Sequence, residues 1–265
     1  GRGRGAARAL ATRGDGPVNA TPALQGKVAV VTGGAGALGL AAVRALLEDG
    51  ARVALVDLDA LRLDTLSRFL RGERIVVAAD VSDAYAVRAA HERVRAELGP
   101  VDILVNAAGA SSDGTAGATD ESAWLRIVGA RLTGAFLWSR AVLPDMSSRG
   151  WGRIVVVGGL GSGTSRGGPA DAATEGGLAS LTAALAREAA PRGITVNAIA
   201  PAFVRPPSVA GNLSEAQARQ LLAGIPAGRF GEPEEFAHAV RFLVSPLSGF
   251  VTGQVLGLDG GSRLA

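Results

Sequence analysis

The sequence has no cysteine, and among its 265 residues it has one lysine, Lys27, one tyrosine, Tyr85, and two histidines, His91 and His238. Each scarcity excludes a chemistry. Without cysteine there is no disulfide frame, no thiolate metal site and no cysteine nucleophile, and the composition suits a reducing cytoplasm. Two isolated histidines, with no His/Asp/Glu group at ligand spacing, leave no metal site to expect, so His91 and His238 are assigned packing or surface roles. The longest apolar stretch, around residues 28 to 47, is interrupted by TGGAG, so no membrane span is expected.

Charge is also scarce outside one end. Residues 1 to 25 carry Arg2, Arg4, Arg8 and Arg13 against Asp15, which accounts for the whole formal net charge of +3 and leaves the rest of the chain balanced. This segment reads as a basic Gly/Arg/Ala-rich extension. Arginines without interleaved aromatics make a poor nucleic-acid arm, and no nucleic-acid partner is expected. Residues 26 to 265 are enough for one substantial hydrophobic core, hence a single domain.

What is present is a regular alternation of short β-branched runs with longer helical segments. KVAVVT (27 to 32), RVALVD (52 to 57), RIVVAA (74 to 79), DILVNA (102 to 107), RIVVVG (153 to 158), ITVNAI (194 to 199) and QVLGLD (254 to 259) read as seven strands. Continuous apolar runs place helices over both faces of a parallel sheet, an α/β doubly wound architecture. Ser82 reads as the cap of the helix after the third strand, and Asp120 as the cap of one long helix running to residue 146. The segment from 201 to 226, rich in Pro, Gly and polar residues, contains SEAQARQLLAG with Ser214 and Gln217 spaced as a capping box, and reads as a helical lid.

TGGAGALG (32 to 39) follows the first strand and opens the first helix. Glycines there let backbone amides at a helix N-terminus approach a pyrophosphate, which makes Gly33, Gly36, Leu38 and Gly39 the phosphate cradle. Asp57, ending the second strand, can accept hydrogen bonds from an adenosine ribose and would repel a 2′-phosphate, so NAD is expected over NADP. Asp80 and Val81 end the third strand on the adenine side. Asn106, Ala107 and Gly109 close the fourth beside the cofactor groove.

With these pieces, and with VDILVNAAG, RLTGAFLWSRAVLP, PRGITVNAIAP, GEPEEFAHAVRFLVS and VTGQVLGLDGG further on, the chain resembles the classical short-chain dehydrogenase/reductase family over nearly all of residues 25 to 262. The resemblance implies a Rossmann-type fold of seven parallel strands, a nicotinamide cofactor, a small-molecule substrate, and a homodimer or homotetramer packed through long helices. Trp124 and Trp138 lie on such a helix and are assigned to core or interface.

The chain departs from the family pattern where the chemistry is done. Ala37 stands where the middle glycine of the phosphate loop would be. The catalytic asparagine would fall at Arg131, the serine at Gly158-Gly159, and the tyrosine and lysine at Asp171 and Glu175. Spacing of i and i+4 puts Asp171 and Glu175 on one helix face, about 5 to 6 Å apart at Cβ. One reading makes Asp171, Glu175 and Arg131 the catalytic set of an enzyme turned to non-redox acid/base chemistry, an isomerase, dehydratase, lyase or cyclase acting on an aromatic or polyketide-like molecule. Gly159, Ser162, Arg166 and Phe203 would then line the substrate site. A second reading is an NAD-dependent oxidoreductase whose proton donor is an acid such as Asp171. A third is a non-catalytic homologue, a cofactor- or partner-binding subunit, in which Arg131 pairs with Asp171 or Glu175 as a scaffold contact.

Overall fold

A computed structural model describes residues 23–109, 115–159, 168–204 and 215–263. The chain order is β1 (Val28–Thr32), α1 (Ala37–Glu48), β2 (Arg52–Asp57), α2 (Ala60–Ser67), β3 (Arg74–Ala78), α3 (Ala84–Glu97), β4 (Ile103–Asn106), α4 (Glu121–Val128), α5 (Gly134–Arg149), β5 (Gly152–Val157), α6 (Pro169–Ala189), β6 (Ile194–Pro201), α7 (Glu215–Leu222), α8 (Pro233–Val244) and β7 (Val255–Leu258). All seven strands lie in one parallel sheet ordered β3-β2-β1-β4-β5-β6-β7. The expected doubly wound Rossmann-type fold is therefore the observed one.

The side-chain alternation of β1 explains why both faces are covered. Val28 and Val30 point into a core shared with α3, α5 and α6, through Val87, Val94, Trp138, Val142 and Leu178. Ala29 and Val31 point into the opposite core with α1 and α8, through Val43, Leu46, Phe236 and Val240. A strand with no polar face cannot sit at a solvated surface, so helices must flank it on both sides. The order in which strands are added reverses between β1 and β4. Adjacent strands there send their connections to opposite sides, which leaves a crevice at their carboxyl ends.

Two local expectations are corrected. Asp83, not Ser82, caps α3, accepting from the Tyr85 amide. Asp80 has already taken the Ser82 amide at 2.8 Å and its hydroxyl at 2.7 Å, so the cap falls to the next residue. The helix that starts on Asp120 is not one α-helix. It is broken by a π-helical turn over Gly129–Thr133, between α4 and α5, with Arg131 at its centre. Inserted π turns widen a helix locally and often occur at functional sites.

Candidate active site

At the carboxyl edge of β1 the backbone leaves no room for side chains. A Cβ built on Gly33, whose φ is +66°, would stand 2.5 Å from the Ala107 carbonyl oxygen, and one on Gly39 would stand 2.1 Å from the Gly33 oxygen. The turn therefore packs against the end of β4 on one side and the start of α1 on the other. Thr32, buried at the end of β1, accepts the Ala108 amide through Oγ1 at 3.2 Å and fastens the two strand ends together. Thr32 was not singled out from the sequence; a lone hydroxyl closing an apolar strand was the available signal.

Gly36 is the N-cap of α1 and supplies no side chain, so the first-turn amides around Ala37 and Leu38 are donors without intrahelical acceptors. A cradle of this shape fits a pyrophosphate: a Cβ would fill it at Gly33 and Gly39, and the helix amides converge on it. Asp57 lies beside it at the end of β2. Its Oδ2 accepts the Ala35 amide at 3.0 Å and its Oδ1 the Asp59 amide at 3.2 Å, so the carboxylate is fixed to the turn. Val81 is buried against α5, where a Cβ on Gly134 would meet its Cγ2 at 2.8 Å. Asn106 donates to Ser139 Oγ at 3.5 Å, anchoring the end of β4 to α5.

Beyond Gly109 the floor of the crevice becomes ionic. Arg131 leaves the π turn and runs past Gly109, whose built Cβ would lie 3.5 Å from its Cγ, to Gly158 after β5, where Nη2 would lie 3.3 Å from the built Cβ. Its Nη1 meets Asp171 Oδ1 at 2.7 Å, and its Nη2 donates to Glu175 Oε1. Glu175 Oε2 accepts the Gly159 amide at 2.6 Å. The three side chains are 15%, 5% and 10% exposed, so the cluster is shielded from bulk water. Gly158 and Gly159 have φ of +126° and +102°, a conformation that disfavours any residue with a Cβ.

The structure thus brings Arg131, Asp171, Glu175 and Gly159 together, next to Gly109 and hence to the cradle. Phe203 lies just after β6, with φ of +49° and its carbonyl accepting the Gly231 amide at 3.1 Å. Ser162, Arg166 and Ser214 lie outside the described residues. Lys27 and Tyr85 have other partners or positions. Lys27 precedes β1, at the opposite edge of the sheet, stacked 3.9 Å from the Trp151 ring centre and paired with Asp102 at 3.7 Å. Tyr85 is 71% exposed at the start of α3.

The remaining scarce residues have packing or surface positions. His91 is buried with Nε2 3.0 Å from Asp145 Oδ2, while His238 is exposed on α8. Trp138 is fully buried and Trp124 is 39% exposed. Among the described residues no group of three or more potential metal ligands occurs, and no helix is long and apolar enough to cross a membrane.

Comparison with known proteins adds to this geometry. A family model described as enoyl-(acyl carrier protein) reductase matches residues 33–263. The chain is 36% identical to the 3-oxoacyl-[acyl-carrier-protein] reductase FabG of Escherichia coli (strain K12) over 238 residues, 89% of this chain and 97% of that one. It is 40% identical to the galactitol 2-dehydrogenase (L-tagatose-forming) of Cereibacter sphaeroides over 248 residues, 90% of this chain and 95% of that one. A solved short-chain dehydrogenase/reductase structure from Burkholderia xenovorans superposes with a TM-score of 0.84 at 34% identity, covering 92% of this chain and 99% of that one. These matches overturn the expectation of non-redox chemistry. Proteins that align along almost the whole chain are named as reductases and dehydrogenases, so the isomerase, dehydratase, lyase and cyclase readings are withdrawn.

Proposed function

The chain belongs to the short-chain dehydrogenase/reductase family, and on that premise we propose that it is a nicotinamide-dependent oxidoreductase that prefers NAD to NADP and moves the substrate proton with Asp171 rather than a phenol. The carrying observation is the cradle beside Asp57: close backbone at Gly33 and Gly39, unpaired helix amides at Ala37 and Leu38, and a carboxylate held in place by the Ala35 amide. A bound nicotinamide supplies hydride exchange with a carbon bearing oxygen. The chain's own residues do the rest. Gly33, Gly36, Leu38 and Gly39 would hold the pyrophosphate, and Asp57 the ribose hydroxyls. Asp80 and Val81 would border the adenine, and Asn106, Ala107 and Gly109 would form the wall towards the nicotinamide.

Asp171 supports the proton-transfer role because it stands in the first turn of α6 in contact with Arg131, with the side-chain cluster leading directly from Gly109. The proposal makes the chain an atypical family member, since Lys27 is paired with Asp102 at the start of β1 and Tyr85 lies exposed on α3. It also carries a homo-oligomeric assembly and a cytoplasmic setting, which the absence of cysteine suits.

Titration with NAD+ and NADP+ tests the cofactor reading. NAD+ is expected to bind at least tenfold more tightly, and Asp57→Ala to narrow that ratio by weakening NAD+ and relieving the repulsion of the 2′-phosphate. Failure of either nucleotide to bind at millimolar concentration would reject it. The pairing of Arg131 with both carboxylates favours one second reading, a cofactor-binding subunit without turnover. NAD+ binding without hydride exchange with any alcohol or carbonyl compound would select that reading.

A further inference from the structure

We propose that Ser82 is a positioning residue for Arg131, acting through the π turn, so that filling the adenine end of the cofactor groove fixes the guanidinium at its other end. The inference rests on the cofactor reading and adds to it a link between the two halves of the groove.

The π turn and the loop after β3 fit one another residue by residue. A Cβ built on Gly129 would stand 3.1 Å from Ser82 Cβ, and one built on Gly134 would stand 2.8 Å from Val81 Cγ2 and 3.3 Å from the Val81 carbonyl oxygen. Both glycines thus press bare backbone against two consecutive residues. They are five positions apart. In an α-helix, residues at that spacing point about 140° away from each other, because each residue turns the helix by about 100°. A π turn bonds residue i to i+5 and returns the two to one side, and here the Gly134 amide donates to the Gly129 carbonyl. The paired contact with residues 81 and 82 and the π geometry are therefore one condition.

Arg131 stands between the two glycines and leaves the turn in another direction. Its stem crosses Gly109, with Cγ 3.5 Å from a Cβ built there, and Nη2 comes within 3.3 Å of one built on Gly158. At that end it meets Asp171 and Glu175. The loop that supports the turn is itself held by Asp80, whose Oδ1 accepts the Ser82 amide at 2.8 Å and its hydroxyl at 2.7 Å. Asp80 and Val81 are the residues assigned to the adenine border, so a ring bound there settles the surface on which both glycines rest. Closely packed contacts of this kind switch between discrete arrangements rather than deform smoothly. The extra residue of a π turn supplies one such alternative, since it can pass to the neighbouring turn and carry Arg131 away from Gly158. Ser82 acts through Gly129 rather than by contact with the reacting groups.

The test follows amide exchange of the whole chain, residue by residue, by nuclear magnetic resonance with and without 5′-AMP. This probe carries adenine, ribose and one phosphate, and no group that extends to Gly109. Protection is expected at residues 33–39 and 80–83, and also, by about fivefold, across 129–134 and at the Gly159 amide that Glu175 holds. Gly159 follows β5, two strands from β1, so a purely local effect of the nucleotide would not reach it. Ser82→Gly takes the Cβ out of the contact. It is expected to leave the Kd for AMP within about threefold of wild type while protection at 129–134 and Gly159 falls below about twofold. Gly129→Ala should speed exchange at the same amides without nucleotide, and adding Ser82→Gly should reverse this by making room for the methyl; if Gly129→Ala does not fold, Ser82→Gly alone decides. AMP protection confined to 33–39 and 80–83, or spreading undiminished in Ser82→Gly, would overturn the inference and leave the cofactor reading intact. No protection at 33–39 in the unaltered chain would sink the cofactor reading, and the inference with it.

Discussion

The amide of Gly159 donates to Oε2 of Glu175 at 2.6 Å, while the other oxygen of the same carboxylate accepts from Arg131. One side chain therefore ties the end of β5, helix α6 and the π turn between α4 and α5 into a single unit. Glu175→Ala leaves a buried amide without its acceptor and removes one of the two carboxylates on Arg131. It is expected to cost about 3 kcal/mol, the low end for breaking a shielded pair, because Asp171 still faces the guanidinium. Glu175→Lys, which sets an ammonium against Arg131, should cost more. Urea unfolding of both variants checks the order, and a Glu175→Lys chain as stable as wild type would show that the pair contributes nothing to the fold.

The cradle predicts opposite effects for two small substitutions. Gly39→Ala puts a methyl 2.1 Å from the Gly33 oxygen, so the loop must move and NAD+ binding should be lost. Ala37→Gly removes a methyl from the first residue of α1, at the point of approach to the pyrophosphate. It should tighten NAD+ severalfold while costing the helix less than about 1 kcal/mol. Calorimetric titration decides both, and tighter binding by Gly39→Ala would mean that the pyrophosphate lies elsewhere.

Glu235 gives a pH prediction with a defined sign. The Arg229 guanidinium, at 2.8 and 2.7 Å from its two oxygens, and the Glu232 amide hold its carboxyl down to about 2 from an ordinary 4.5. A depressed folded-state value stabilises the protein above the ordinary range and is lost as pH falls from 4.5 towards 2. Glu235→Gln should therefore reduce stability at pH 7 and flatten its fall across that acid window. Melting curves between pH 2 and 7 measure this; parallel curves for the two proteins would exclude the pair as a source of acid sensitivity.

One edge of the sheet suits the expected self-association. Phe242, Leu247, Phe250 and Leu256 are 51%, 96%, 103% and 38% exposed, and the sequence from Phe242 to Leu258 holds no charged residue. β7 is also a terminal strand of the sheet, with one unpaired edge. Leu247→Glu with Phe250→Glu is expected to reduce the species seen by light scattering to a smaller one, with the fold unchanged by circular dichroism. An unchanged mass would move the interface to another face.

Much of the fold was legible because hydrophobic period carries it. Seven β-branched runs became seven strands within a residue or two at each end, and the inner five are apolar because both their faces are buried. Local polar competition was less legible. Ser82 lost the cap to Asp83 because Asp80, two residues earlier, had bound it first, and that choice depends on backbone turns rather than residue type. The π turn at Arg131 left only a faint trace, Gly129 at its start and Gly134 just after it, because one extra residue in a helix does not alter composition.

The sequence by itself determined that Asp171 and Glu175 share a helix face, that a glycine-rich turn joins a buried strand to a helix, and that neither Lys27 nor Tyr85 belongs to the same segment as that face. Spacing along a regular element is a local property, and the helix repeat converts it directly into geometry. Only the tertiary structure decided that Arg131, 40 residues from Asp171, meets both carboxylates, and that Gly159 fixes the second. Contacts across the ends of different strands depend on how the connections are wound and where the helix widens, and no periodicity within one segment records that.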